Sequence, residues 1–232
     1  MWIEDFTSKC NLTMPDSIQE SLWCRGVSDD QMALYRVGYV DRKLPEGVEY
    51  PNTFLEWSEE GAKLKDSLVF PLTNWLGEVR GVQFRPARRE DKGYRDFIVD
   101  KTQTVLFGLS QAAPHVWATG KVCLVEGVFD LFPVQRFAPH VITTLTARAS
   151  DQLVRSLYRF VQRVQLMFDD DPPGKRGTNK FIQFHGPLFD TSVVEYPTGV
   201  VMANGKLAKD PGEIWEAWGD DRLSGFFRPQ LE

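Results

Sequence analysis

The chain has 232 residues, 42% of them hydrophobic, with seven tryptophans and a formal net charge of −5. That length suits one large domain or two small ones, and that apolar content excludes a disordered chain. The acidic balance does not by itself point to nucleic acid, although a net charge can hide a local basic patch. The opening MWIEDFTSKC carries acids where a signal peptide has a basic region, and no run approaches the ~18 apolar residues of a membrane span. The expected location is therefore the cytoplasm (host cytoplasm for a viral chain), with no membrane partner. Cys10, Cys24 and Cys123 are scattered, fit free thiols, and include no C-x-x-C pair, so no zinc site is expected. His115, His140 and His185 are isolated and read as structural or surface residues.

In chain order, residues 14–39 read as two helices. Pro15 suits a first turn, and Ile18, Leu22 and Trp23 recur at helical spacing. Arg25-Gly26 ends the first helix. Ser28 caps the second, with Asp29 and Asp30 in its first turn, and Gly38 closes it. Residues 42–65, with Pro45, Gly47, Pro51 and Gly61, read as loop with short pieces of structure. A strand over 67–72, a turn at 74–77 and a returning strand over 78–85 make a hairpin. Between residues 80 and 95, Arg80, Arg85, Arg88, Arg89, Lys92 and Arg95 stand against only Glu90 and Asp91, a basic cluster in an acidic protein. On its own such a cluster reads as a solvated hairpin tip.

From residue 111 a helix leads into alternating strands and helices. Strands are expected at 122–125, 141–144, 164–168 and 193–196, and helices at 128–137, from 150, at 175–184 and at 213–218. Two of these strands end in acids. Val122, Leu124 and Val125 lead into Glu126, with Asp130 four residues on; Val164, Leu166, Met167 and Phe168 lead into Asp169, Asp170 and Asp171. A buried parallel strand ending in a carboxylate puts that charge at the sheet's rim, where α/β sheets place their ligands. Carboxylates on adjacent strands repel unless a cation lies between them. Hard oxygen ligands suit Mg²⁺, with Mn²⁺ able to substitute, better than Zn²⁺.

E-G-V-F-D at 126–130 and F-D-D-D-P-P-G at 168–174 resemble the E-G-x-x-D and D-x-D motifs of the Toprim fold, which serves DnaG-type primases, topoisomerases and some nucleases. Several flanking segments are similar to the primase branch. They are S-L-W-C-R-G-V-S with its following helix and G-Y pair, the hairpin matching at Phe70, Pro71, Gly77, Gly81 and Arg85, the K-T-Q-T-V-L-F-G-L hinge at 101–109, and Lys209-Asp210-Pro211. Gly212 stands where the family has a further acid. The family's K-Y-L-N-S-P stretch is only loosely echoed at 92–96, with Lys92 displaced by one position and the Asn-Ser-Pro missing, so Lys92 or Arg95 would fill that role.

The resemblance implies an α/β fold: an α+β N-terminal lobe over 1–113, a Toprim Rossmann-like parallel sheet over 114–219, and a tail at 220–232. It implies a DNA primase making short RNA primers on single-stranded DNA by two-metal nucleotidyl transfer. Glu126, Asp169 and Asp171 would be catalytic. Glu126, Asp130, Asp169, Asp171 and Asp210 would form the metal site, Asp130 either as a ligand or orienting one. Arg85, Arg88, Lys92, Arg95 and Lys175 would bind nucleotide and template. Implied partners are single-stranded DNA, ribonucleoside triphosphates, and a replicative helicase or separate zinc-binding protein. A Toprim nuclease and a non-catalytic single-strand-binding subunit remain as alternatives; the basic hairpin argues against the first and the acids against the second.

Overall fold

The structure, a computed structural model, describes residues 1–232 except 13, 42, 61–63, 65 and 89–92, and the side chains of 59 and 60. The chain divides into two compact units, residues 1–23 with 28–105, and residues 24–27 with 106–232.

The first unit holds helices α1 (Trp2–Leu12), α2 (Asp16–Trp23), α3 (Asp29–Leu34) and α4 (Asn52–Glu60) and strands β1 (Gly38–Val40), β2 (Ser67–Thr73), β3 (Val79–Pro86) and β4 (Arg95–Ile98). The strands form one antiparallel sheet in the order β1-β2-β3-β4. Ser28 caps α3 as expected, in a reciprocal box with Gln31. The helix then ends four residues before Gly38, which instead opens β1. A side chain on Gly38 would stand 2.7 Å from the Cβ of Cys10, so its bareness serves the close approach of α1 rather than a helix stop.

The β2–β3 hairpin forms where expected. Asn74 Oδ1 accepts from the backbone of Leu76 and Glu78 at 3.0 and 3.1 Å, and Gly77 takes φ 86°. Part of the stretch read as loop is α4, which begins just after Pro51. Phe54 of α4 is fully buried with Ile3, Phe6, Val69 and Val82, ringed by Trp2, Tyr50, Trp57 and Phe97. Aromatic burial drives both α1 and α4 onto the sheet.

The second unit holds α5 (Leu109–Thr119), β5 (Lys121–Val125), α6 (Val128–Gln135), β6 (Val141–Thr143), α7 (Asp151–Leu157), β7 (Arg163–Met167), α8 (Pro172–His185), β8 (Asp190–Val193) and α9 (Pro211–Leu231). Its sheet is parallel throughout, in the order β6-β5-β7-β8. Val122, Cys123, Leu124 and Val125 are fully buried, the continuous apolar run of a strand covered on both faces. The fourth strand lies three residues before its expected place: β8 is a polar edge strand, tied to β7 by Arg163 and Asp190 at 2.9 Å.

The expected helix at 213–218 and the residues after it form α9, broken at Gly219 (φ 75°). Leu223, Phe227 and Leu231 are buried, so residues 220–231 pack as helix, and α9 lies against α6. The three cysteines are free, Cys10 and Cys123 buried and Cys24 exposed. Buried His140 contacts Gln165 Oε1 at 3.1 Å. Among the described residues no helix is long and apolar enough to cross a membrane.

Candidate metal centre

The acids gather at the C-terminal rim of the parallel sheet because three helices begin there. Asp130 sits in the first turn of α6, its Oδ2 accepting from the N–H of Gly127 at 2.8 Å. Asp171 caps α8 through Gly174 N–H at 3.0 Å, and Asp210 caps α9 through Glu213 N–H at 2.7 Å. Each carboxylate therefore has a structural task, and the partial positive charge of each helix start favours it there.

Asp130, Asp169 and Asp210 each offer an oxygen lying within 4.8 Å of the others'. Glu126 and Asp171 flank this trio through the segment after β7. Glu126 Oε1 accepts from Asp169 N–H at 3.0 Å, and Asp171 follows two residues on. The sequence alone left open whether Asp130 ligates or orients; its oxygen stands in the trio, at a residue 7% exposed.

Two neighbours carried no site role in the sequence reading. Lys209 Nζ donates to Asp171 Oδ2 at 2.9 Å and to Asp169 Oδ2 at 3.3 Å. The signal was a cation placed directly before Asp210. Tyr196, read only as strand, donates its hydroxyl to Met167 O at 3.3 Å, and burial together with Asp130, Asp169 and Asp210 holds its phenol neutral. No sequence pattern marks it.

This density of carboxylates shifts their protonation. Burial, with repulsion from Asp169 and Asp171, pushes Glu126 up to about 7 against the opposing hydrogen bond from Asp169 N–H. Burial raises Asp169, opposed by Lys209, and raises Asp210, reinforced by Asp130. Burial also acts upward on Asp171, but Gly174 N–H and Lys209 outweigh it and hold that acid below the usual range. Asp169 Oδ1 is buried and accepts no hydrogen bond. A buried carboxylate oxygen with no donor, next to two further carboxylates, fits a divalent cation of the Mg²⁺ kind. Asp130, Asp169 and Asp210 would hold it.

The glycines keep this corner open. A Cβ on Gly174 would lie 2.2 Å from Asp169 O and 2.7 Å from Glu126 Oε1. Lys175, at the start of α8, pairs with Asp170 at 2.7 Å and is largely exposed. The other basic candidates belong to the first unit. Arg85 Nε donates to Gln83 Oε1 at 2.9 Å, Gln83 Nε2 to Asp96 Oδ1 at 2.9 Å, and the Arg85 guanidinium stands 5.3 Å from the Tyr94 ring. Arg88 and Arg95 are exposed, and Lys92 lies outside the described residues.

Residues 123–204 match the Toprim-like family. The matched stretch lies within the second unit and runs from β5 through β8 of its parallel sheet. A DNA primase of Thermotoga maritima is 25% identical over 226 residues, covering 88% of this chain and 38% of that protein. The DNA primase of Aquifex aeolicus is 28% identical over 162 residues, 67% of this chain and 31% of that one. Among solved structures, a DnaG primase catalytic domain bound to single-stranded DNA superposes with TM-score 0.76 at 16% identity, covering 99% of this chain and 77% of that one. The E. coli primase catalytic core gives 0.74, also at 16% identity, over 98% and 79%.

In fold the chain is similar to the DnaG primase catalytic cores, and in sequence to the bacterial DNA primases. It spans 38% and 33% of the length of the Thermotoga maritima and Lactococcus lactis relatives.

Proposed function

We propose that this chain is a primase catalytic core that builds short RNA primers on single-stranded DNA from ribonucleoside triphosphates. The observation that carries this reading is the Asp130–Asp169–Asp210 trio with its unbonded Asp169 oxygen, set at the rim of a Toprim sheet in a chain with the DnaG-core fold.

The reaction is a nucleotidyl transfer: a primer 3′-hydroxyl forms a bond to the α-phosphorus of the triphosphate, the bond to the β-phosphate oxygen breaks, and pyrophosphate leaves. Two positive centres serve such a step, one at the attacking oxygen and one at the leaving group. Bound at the trio, Mg²⁺ would supply charge neutralisation and polarise a phosphate oxygen. Glu126, with a pKa near the working pH, is suited to take up or release a proton beside the reacting oxygen. Asp169 and Asp171 offer a second negative pair beside the trio. Arg85, held by Gln83, presents a preset guanidinium for phosphate, and Arg88, Arg95, Lys92 and Lys175 would add contacts that hold the strand without reading its sequence. A helicase or a separate zinc-binding protein would complete the priming machinery in the cytoplasm.

The test is incubation with single-stranded templates, Mg²⁺ or Mn²⁺ and labelled ribonucleotides, beside an Asp210→Asn protein. Asn keeps an acceptor for the α9 cap while removing the charge. Short products lost by about 10²-fold or more in the variant support the reading. Degraded template without synthesis would move it to a nuclease.

A further inference from the structure

The acids of the site divide into two groups by what their oxygens already bind. Asp171 has both oxygens engaged, Oδ1 by Gly174 N–H and Oδ2 by Lys209 Nζ. Asp169 is shared. Its Oδ2 accepts from Lys209, while its Oδ1 is buried without a donor and the residue contributes to the trio with Asp130 and Asp210.

The Lys209 side chain is 42% exposed and reaches the two acids from a fixed stretch of backbone. Its backbone is fixed on both sides: its N–H donates to Glu213 Oε2 at 3.0 Å, and its carbonyl accepts from Asp170 N–H at 2.6 Å. The strap before it is tied by Ala208 N–H to Val200 O at 2.9 Å. The ammonium is thus delivered between Asp169 and Asp171 by a backbone locked to the same acidic segment. Gly212 adds a second constraint. Its Cα faces Asp210 Oδ1 and Asp130 Oδ1, where a Cβ would stand 3.4 and 3.5 Å away, and it brings no carboxylate. Beside Asp130 and Asp210 the chain therefore has one acid fewer than the motif it resembles.

We propose that Lys209 Nζ is a resident cation occupying the Asp169–Asp171 half of the centre, so that the chain binds one divalent ion, at Asp130, Asp169 and Asp210, in place of two. The proposal rests on the metal-site reading above and specifies how many ions that site takes. An ammonium between two carboxylates supplies a single positive charge with directional donors, and it does not exchange with solution. One of the two positive centres of the transfer would then be part of the polypeptide.

The experiment counts bound Mn²⁺ on the whole chain by equilibrium dialysis and by loss of the free-ion resonance signal, for the unmodified protein, Lys209→Met, Lys209→Arg and Asp210→Asn. The expected counts are one ion for the unmodified chain, two for Lys209→Met and one for Lys209→Arg. Asp210→Asn should bind at least about tenfold more weakly, a loss of about 1.4 kcal/mol. Two ions on the unmodified chain would mean that metal displaces the ammonium, and one ion on Lys209→Met would mean that the lysine fills no ion position; either overturns the proposal. No ion on the unmodified chain would overturn the metal site itself and the proposal with it. Thermal melting of each variant reports folding, and if Lys209→Met fails to fold, Lys209→Gln takes its place in the count, with the same two ions expected and one ion overturning the proposal.

Discussion

Glu126 Oε1 accepts a hydrogen bond from the backbone N–H of Asp169 at 3.0 Å, joining the C-terminal ends of the neighbouring strands β5 and β7. One carboxylate thus shapes the loop that presents Asp169 and also adds its own charge to the site. Substitution separates these two tasks. Glu126→Gln keeps an acceptor and should retain the fold, yet lower the proposed primer synthesis by about 10²-fold. Glu126→Ala removes the acceptor too and should cost a further ~1 kcal/mol of stability, read from thermal melting.

Metal removal should make stability fall with rising pH. Glu126, Asp169 and Asp210 are raised in the folded chain, so over the interval between their unfolded and folded values the native state holds protons that the unfolded chain has released. Their contribution is fullest below the unfolded values and is lost as pH rises through the folded ones, about 7 for Glu126. Asp171 is lowered and acts in the opposite sense, losing its contribution as pH falls through its depressed value. In chelator, the melting temperature should decline between about pH 5 and about pH 8. Excess Mg²⁺ should restore it, most at the alkaline end, by about 2.7 kcal/mol at a hundredfold excess over Kd. A melting temperature that climbs across this range in chelator would contradict the assignment.

Gly174→Ala should damage the centre without touching a charge. The added carbon meets a carbonyl at 2.2 Å, which is backbone and cannot swing aside. A loss of about 1–3 kcal/mol is expected, with Mn²⁺ affinity falling as the Asp169 segment is pushed from its place. Unchanged melting and unchanged Mn²⁺ binding would show that the loop yields freely.

Phe227→Ala tests whether the second half of α9 belongs to the core. Phe227 is fully buried, with its ring 5.0 Å from Phe226 and 5.8 Å from Tyr196. Its loss should cost about 3–5 kcal/mol. Because Tyr196 contacts Met167 next to the site acids, Mn²⁺ binding should weaken as well.

Much of the second unit was legible because β5, β6 and β7 are buried apolar runs and β5 and β7 end in acids, a pattern that reads directly as strand plus rim. The exception is β8, whose Asp190, Thr191 and Ser192 carry no apolar signal at a sheet edge, so the eye moves on to Val193, Val194 and Tyr196. In the first unit α4 lay hidden among Pro45, Gly47 and Pro51, yet Pro51 precedes the helix it starts, and Phe54 with Trp57 give the three-residue spacing of a buried face. The α1 stretch rules out a signal peptide by its acids, and its helical face is marked by Ile3, Phe6 and Cys10 on one side. Of the candidate centre, the acids could be found from strand ends and motif spacing. The place of Lys209 could not, because it depends on Asp170 and Glu213 gripping its backbone from 39 residues upstream and 4 downstream.

Gln230 has consequences for how the second unit is born. Its side chain pairs with the backbone of Glu195 through both the oxygen at 2.8 Å and the nitrogen at 3.3 Å, and its carbonyl accepts from Gln165 of β7 at 2.9 Å, while Leu231 beside it is buried. A central strand is therefore finished by a residue 65 positions later in the chain. On the ribosome, β5 through β8 emerge well before that partner. Until residue 231 clears the exit tunnel, the nascent sheet lacks one of its covers, and its acidic rim lacks the helix that Asp210 begins. Folding of this unit thus waits for the residues of late α9, and a pause in translation shortly before them would leave an apolar sheet exposed to chaperones and proteases.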